Sequence, residues 1–257
     1  MAGQSISLFE KILHKRTVKR LNRYVRSANA APIELLRQQR NLAREMRVQL
    51  DELSFIAGER LALPLSGNNT LVTPRGTDWA WRPDIWRGPI SKRGIVAIQN
   101  KSQIGNRITL YHDCKVSEMS MRQIRNTKIE DLAPYGLELD VFKFDGSFLS
   151  IALGLPTDAC HGLKTKHLVR LETIIEVEKP IEAFARLNIK HGPNVEQIVR
   201  EIPMNASSQI IEFDLGYSQL NEKRIEKTWL DLIFEGPEMN QVTIRDVTMC
   251  RHPRAAL

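Results

Sequence analysis

Two stretches of this 257-residue chain carry side chains able to grip a ligand at every second position. In the first, Phe184, Arg186, Asn188 and Lys190 alternate with Ala183, Ala185, Leu187 and Ile189; in the second, Lys227, Trp229 and Asp231 alternate with Thr228 and Leu230. An extended strand sends alternate side chains to opposite faces, so each set shares one face. Should the two strands lie side by side, the faces join into a polar and aromatic patch suited to a glycan or an acidic ligand. A solvated outer sheet face is the plainer reading of the same alternation. A third group, Trp79, Trp81 and Trp86, stands among Asp78, Arg82, Asp84 and Arg87. Flat rings beside planar polar groups stack on sugars or hold a protein partner. They equally plug the join between two parts of a chain.

Other chemistry finds less support. His112-Asp113-Cys114, Cys160-His161 with His167, and Cys250-Arg251-His252 place possible ligands together, but none has the C-x2-C or H-x3-H spacing of a tetrahedral zinc site. No metal and no cofactor are expected. Phosphate cradles of the form G-x-x-x-x-G-K-[ST] or G-x-G-x-x-G are absent, as is the G-x-S-x-G elbow. Glu172, Glu176, Glu178, Asp214, Asp231 and Glu235 occupy outward strand positions, and a glycosidase needs two such carboxylates about 5–10 Å apart. Outward acids usually belong to a solvated face.

The remaining charge is concentrated at the start of the chain. Residues 1–30 hold Lys11, Lys15, Arg16, Lys19, Arg20, Arg23 and Arg26 against Glu10 alone, a surplus of six within a net charge of +7. Leu8, Phe9, Ile12, Leu13, Leu21, Tyr24 and Val25 recur at helical spacing between them, which predicts a basic amphipathic helix able to meet an anionic surface. Pro32 is placed to open a second helix. There Leu36, Gln39, Ala43, Met46, Leu50 and Leu53 fall alternately three and four apart, a seam through which residues 36–53 could pair within or between chains. Nucleic acid is a further candidate for the basic arm, although it offers Tyr24 and no stacking series, against sequence-specific reading.

The elements behind the first patch are strands. Period-two alternation runs through 137–144, 148–155, 171–177, 181–190, 195–202, 209–215, 225–234 and 242–249, with turn signals between. Asp145-Gly146 reads as a type I′ hairpin turn, and Gly192-Pro193-Asn194 and Gly236-Pro237 mark two further turns. Successive short strands without helical spacers predict a sandwich. The fold expected is α+β, mainly β: a two-helix arm over 1–60 and an antiparallel β-sandwich of jelly-roll type over 61–257. Three cysteines without close spacing fit a reducing compartment, and no secretory signal is read, so the location expected is the cytoplasm or the inner face of its membrane.

The runs Gly76–Pro83, Phe144–Leu149, Leu187–Asn194 and Phe234–Gln241 resemble an uncharacterised family of bacterial proteins, over the whole chain, arm included. That resemblance implies no activity, ligand or catalytic residue. Residues 242–249 are also similar to the closing strand of jelly-roll carbohydrate-binding modules. The function expected is a non-enzymatic binding or scaffold role, the sandwich presenting a face to a glycan or protein and the arm attaching to an anionic surface or a partner helix. The alternatives are a carbohydrate-active enzyme working through two strand carboxylates, and nucleic-acid binding through the arm.

Overall fold

A computed structural model describes residues 8–65, 71, 73–128 and 131–254, without the side chains of 8–12, 48, 51–52, 54–56 and 58–65. The chain divides into two compact units, Met1–Ser54 and Phe55–Leu257. In the first, α1 (Leu8–Ser27) ends in a short 3-10 turn, and α2 (Ile33–Leu65) begins where the Pro32 carbonyl accepts the Leu36 N–H at 3.0 Å. Helix α2 continues through Gly58 to Leu65, beyond the end expected near residue 60. None of the described side chains on either helix is buried, and Val25, Leu50 and Leu53 are well exposed. Among the described residues no helix is long and apolar enough to cross a membrane.

The second unit is a sandwich of two antiparallel sheets. Its strands are β1 (Trp79–Trp81), β2 (Gly94–Val96), β3 (Gln103–Ile104), β4 (Ile108–His112), β5 (Ser117–Arg125), β6 (Tyr135–Phe144), β7 (Leu149–Gly154), β8 (His167–Val177), β9 (Glu182–His191), β10 (Asn194–Glu201), β11 (Gln209–Asp214), β12 (Ile225–Glu235) and β13 (Asn240–Pro253); a short helix α3 (Asp84–Arg87) follows β1. One sheet runs β11-β8-β13-β6-β5-β2 with β1 beside β13, and the other β10-β9-β12-β7-β4-β3. Strand β8 pairs β13 and β9 pairs β12, so the returning half of the chain nests around the outgoing half, which is the jelly-roll winding.

Alternation is what holds the sheets together. Leu149, Ile151 and Leu153 of β7, Leu230, Leu232 and Phe234 of β12, and Ala185, Leu187 and Ile189 of β9 point inward and are buried. They meet Leu137, Leu139, Val242, Ile244, Val247 and Leu171 in one core cluster. Burying a leucine or isoleucine side chain stabilises by roughly 1.5–3 kcal/mol, so this cluster is the main source of stability in the unit.

Asp145-Gly146 does not form the expected hairpin turn. Strands β6 and β7 lie in different sheets, and neither residue has a positive φ. Glycine is required there by close approach instead: a Cβ at Gly146 would lie 2.5 Å from Asp113 Oδ1 and 2.8 Å from Cys114 Sγ. Asp145 accepts the N–H groups of Lys115 and Val116, tying the crossover to the start of β5. Gly192-Pro193 does turn a hairpin, joining β9 to β10 with Gly192 at φ +61°.

Candidate functional site

The outward face of the six-stranded sheet holds a groove of about 940 Å³. Its floor is β7, whose outward residues Ser150, Ala152 and Gly154 are all small. Strand register then fixes what stands on either side. Asp231 lies opposite both Ala152 and Arg186, Thr109 opposite Ala152, and Gln103 opposite Thr109, in one row across the sheet. In the neighbouring rows Trp229 lies opposite Gly154, and Tyr111 opposite Ser150. Large side chains on both flanks and small ones between leave a channel, where a uniform outer face would be flat. Tyr111 is exposed on one flank and Phe148 at the head of the floor strand; Trp229 is half-buried on the other flank, with the Lys227 ammonium over its ring at 5.7 Å from the centroid.

The polar groups fall into two kinds. Asp231 is 4 % exposed, and its Oδ2 accepts from Arg186 Nε at 3.0 Å, Arg186 Nη2 at 2.8 Å and Asn188 Nδ2 at 2.9 Å. Asn188 is fully buried, its amide also donating to the Arg186 carbonyl while its oxygen accepts from Gln197 at 3.0 Å. These two brace the groove wall, Asp231 at its surface and Asn188 beneath it. Arg186, Lys190, Lys227 and Arg107 line the groove with exposed or part-exposed donors. Asp231 is the only carboxylate among the described lining residues.

The other sequence candidates are placed elsewhere. Phe184 sits half-buried on the same sheet face, between Ile233 and Glu201, outside the groove lining. Trp86 is fully buried and donates its indole N–H to the Ile244 carbonyl at 3.0 Å, which makes it core rather than a ligand platform. Trp79 and Trp81 stack at 6.5 Å and pack on the core cluster through β1. Lys15, Arg16, Lys19, Arg20, Arg23 and Arg26 are exposed along α1, and the Lys11 side chain lies outside the described residues.

The histidine and cysteine groups are occupied by local structure. His112 Nδ1 accepts the Cys114 N–H at 3.2 Å, and His167 Nδ1 the Lys164 N–H at 3.1 Å. Burial holds the His167 imidazole below its ordinary pKa, outweighing the nearby Asp78, and burial pushes the Cys250 thiol up. Among the described residues no cluster of three or more His, Cys, Asp or Glu could hold a metal ion. Asp214 accepts from the Gly216 N–H, and Glu176 pairs with Lys128, so these outward acids stabilise loops.

The sequence candidates missed Tyr111, Phe148, Gln103, Asn106, Arg107 and Thr109. A signal for the floor was present: within 149–154, large Leu149, Ile151 and Leu153 alternate with small Ser150, Ala152 and Gly154.

A family of unknown function, DUF6478, matches residues 1–257. The chain belongs to that family. No curated protein matches the chain. Among solved structures, the enzymatically active domain of tailspike protein 4 from bacteriophage CBA120 is 9% identical with a TM-score of 0.40, covering 60% of this chain and 21% of that one. A family 11 carbohydrate-binding module from Clostridium thermocellum, in complex with a β-1,3-1,4-mixed-linked tetrasaccharide, is 12% identical with a TM-score of 0.36, over 61% of this chain and 95% of that one. The CBM22-1 xylan-binding domain of Paenibacillus barcinonensis Xyn10C is 6% identical with a TM-score of 0.37, over 71% and 100%. DUF6478 itself brings no activity to the groove, whose reading rests on its own side chains.

Proposed function

We propose that this member of DUF6478 is a non-enzymatic binding protein that lays a glycan chain across the outer face of its six-stranded sheet. The observation that carries the reading is the groove itself. Residues from Gln103 to Asp231, distant in sequence, converge on one channel with aromatic flanks, a small-residue floor and amide, hydroxyl and cationic groups along it. A channel of about 940 Å³ lies within the range of ligand sites, and sugars stack on flat rings while their hydroxyls pair with polar side chains. Attachment of the molecule falls to α1, whose exposed cations suit an anionic membrane surface on the cytoplasmic side.

A glycan array probed with the labelled full chain, followed by calorimetry on the hits, tests the groove. Hits should lose affinity in Trp229→Ala while the far-UV circular dichroism spectrum is kept. An array with no hit retires the reading, as does a hit indifferent to Trp229. Co-sedimentation with anionic and neutral vesicles tests the arm, using a Lys15→Glu, Lys19→Glu, Arg23→Glu triple variant as control. Wild-type protein left in the supernatant with anionic vesicles at low salt removes the membrane part.

A further inference from the structure

The groove is built to donate hydrogen bonds more than to accept them. Arg107, Arg186, Lys190 and Lys227 are donors without acceptor capacity. The one carboxylate among the described lining residues, Asp231, is 4 % exposed and has its Oδ2 held by Arg186 and Asn188. Glu226 stands beside the groove and pairs with Lys190 at 2.7 Å, but both side chains are about half exposed at 46% and 49%. An ion pair so open to water holds weakly, so Lys190 is free to turn to a ligand. Gln103, Asn106, Thr109, Tyr111 and Ser150 can serve the hydroxyls of any sugar, but four cations against two carboxylates leave a positive surplus that a neutral sugar does not answer.

One of these cations stands at the aromatic ring of the groove. The Lys227 ammonium lies 5.7 Å from the Trp229 ring centroid. Because the ammonium lies over the ring, a pyranose that stacks on that face must move it aside, which leaves the charge beside the sugar. Arg107 Nη1 touches the Leu155 carbonyl at 3.4 Å at the end of the floor strand, leaving the rest of its planar fork for a bidentate acceptor.

Resting on the glycan-binding reading above, we infer that the ligand is an anionic glycan whose sugars carry carboxylate groups, a uronic acid polymer. Stacking on Trp229 seats the ring, and Lys227, Lys190 and Arg107 pair with its carboxylates. The Asp231–Arg186–Asn188 network keeps the wall rigid and offsets the negative charge of Asp231.

Calorimetry on the full chain separates this inference from the reading beneath it. The probes are oligogalacturonate, oligomannuronate and hyaluronan oligosaccharides, the methyl-esterified form of any that binds, and neutral cello-, xylo- and laminari-oligosaccharides. At least one uronate should bind, and methyl esterification should weaken it by about tenfold or more, the worth of one charge-assisted hydrogen bond. Lys227→Gln and Arg107→Gln should each weaken the acidic ligand and leave thermal unfolding unchanged. The Lys15→Glu, Lys19→Glu, Arg23→Glu variant should bind it as the wild type does, which excludes capture by the arm. Neutral glycans that bind through Trp229 at least as tightly as the uronates would overturn the anionic assignment and keep the groove. Binding lost in the arm variant but unaffected by Trp229→Ala would overturn both, as would no binding by any probe.

Discussion

Two sets of cations on the two sheets are used in opposite ways. On the seven-stranded sheet, Arg82 pairs with Asp246 through two hydrogen bonds of 2.9 and 2.8 Å, Arg245 pairs with Asp131, and Arg251 reaches Asp78 at 2.8 Å. All three arginines are buried, and each locks β13 to a segment far away in sequence. On the six-stranded sheet Arg107, Lys190 and Lys227 are exposed along a groove, while Arg186 is part-exposed and already paired with Asp231. A sealed pair has already spent its hydrogen bonds on the fold, whereas an open cation keeps its donors for something that arrives from outside. Charge type alone does not reveal which is which; burial does.

Breaking a sealed pair should have the largest effect. Arg82→Met leaves Asp246 buried without its partner, in a site where burial already pushes that carboxyl above its ordinary value, and should cost about 3–5 kcal/mol in denaturant unfolding. Lys227→Met, on the open sheet, should change stability by no more than about 0.5 kcal/mol. Equal costs for the two would erase the distinction between sheets. On the binding side, Trp229→Ala should lose on the order of 2 kcal/mol of glycan affinity in calorimetry, as expected for an aromatic anchor.

A smaller effect sharpens the comparison through pH. Burial pushes the Asp78 carboxyl up, but the hydrogen bond and charge of Arg251 outweigh it and hold the pKa below the ordinary 3.8. Stability from this pair is therefore fully present above pH 3.8 and lost as pH falls through the lower folded value. Asp78→Asn should flatten that part of the acid limb of a stability curve; an unchanged limb would mean that Arg251 is held by the Ala159 and His161 carbonyls alone. Smallest of all, Glu226→Gln frees Lys190 from an exposed pair and should alter stability by less than about 1 kcal/mol. The same change should tighten binding of an acidic glycan, and weaker binding would count against the role given to Lys190.

The residues themselves explain how much of this was legible in the sequence. Strands β6 to β13 follow apolar alternation closely, and the patch on β9 and β12 follows from it, since Arg186 and Lys190 share one face and Trp229 and Asp231 another. That the two strands are neighbours is a fact of jelly-roll winding, which periodicity does not carry. Strands β1, β2 and β3 have only three, three and two residues, too few to show a period. In β5 the alternation is broken by Gln123, a buried polar side chain whose amide donates to the Ile85 and Gly88 carbonyls at 2.7 Å each. Trp86 illustrates the reverse error. Its polar neighbours Asp84 and Arg87 are exposed while the indole itself turns into the core, so local sequence gave it the look of a surface ring.

The central claim, that an acidic glycan lies on Trp229 in the groove of the six-stranded sheet, is tested most directly by tryptophan fluorescence. Trp86 is fully buried and Trp79 and Trp81 pack on the core, so Trp229 is the indole a groove ligand touches. Titrating the uronate oligosaccharide that binds in calorimetry should shift the emission of the wild-type chain, and the shift should vanish in Trp229→Phe. An identical shift in the variant, or none in the wild type at saturation, would contradict the account.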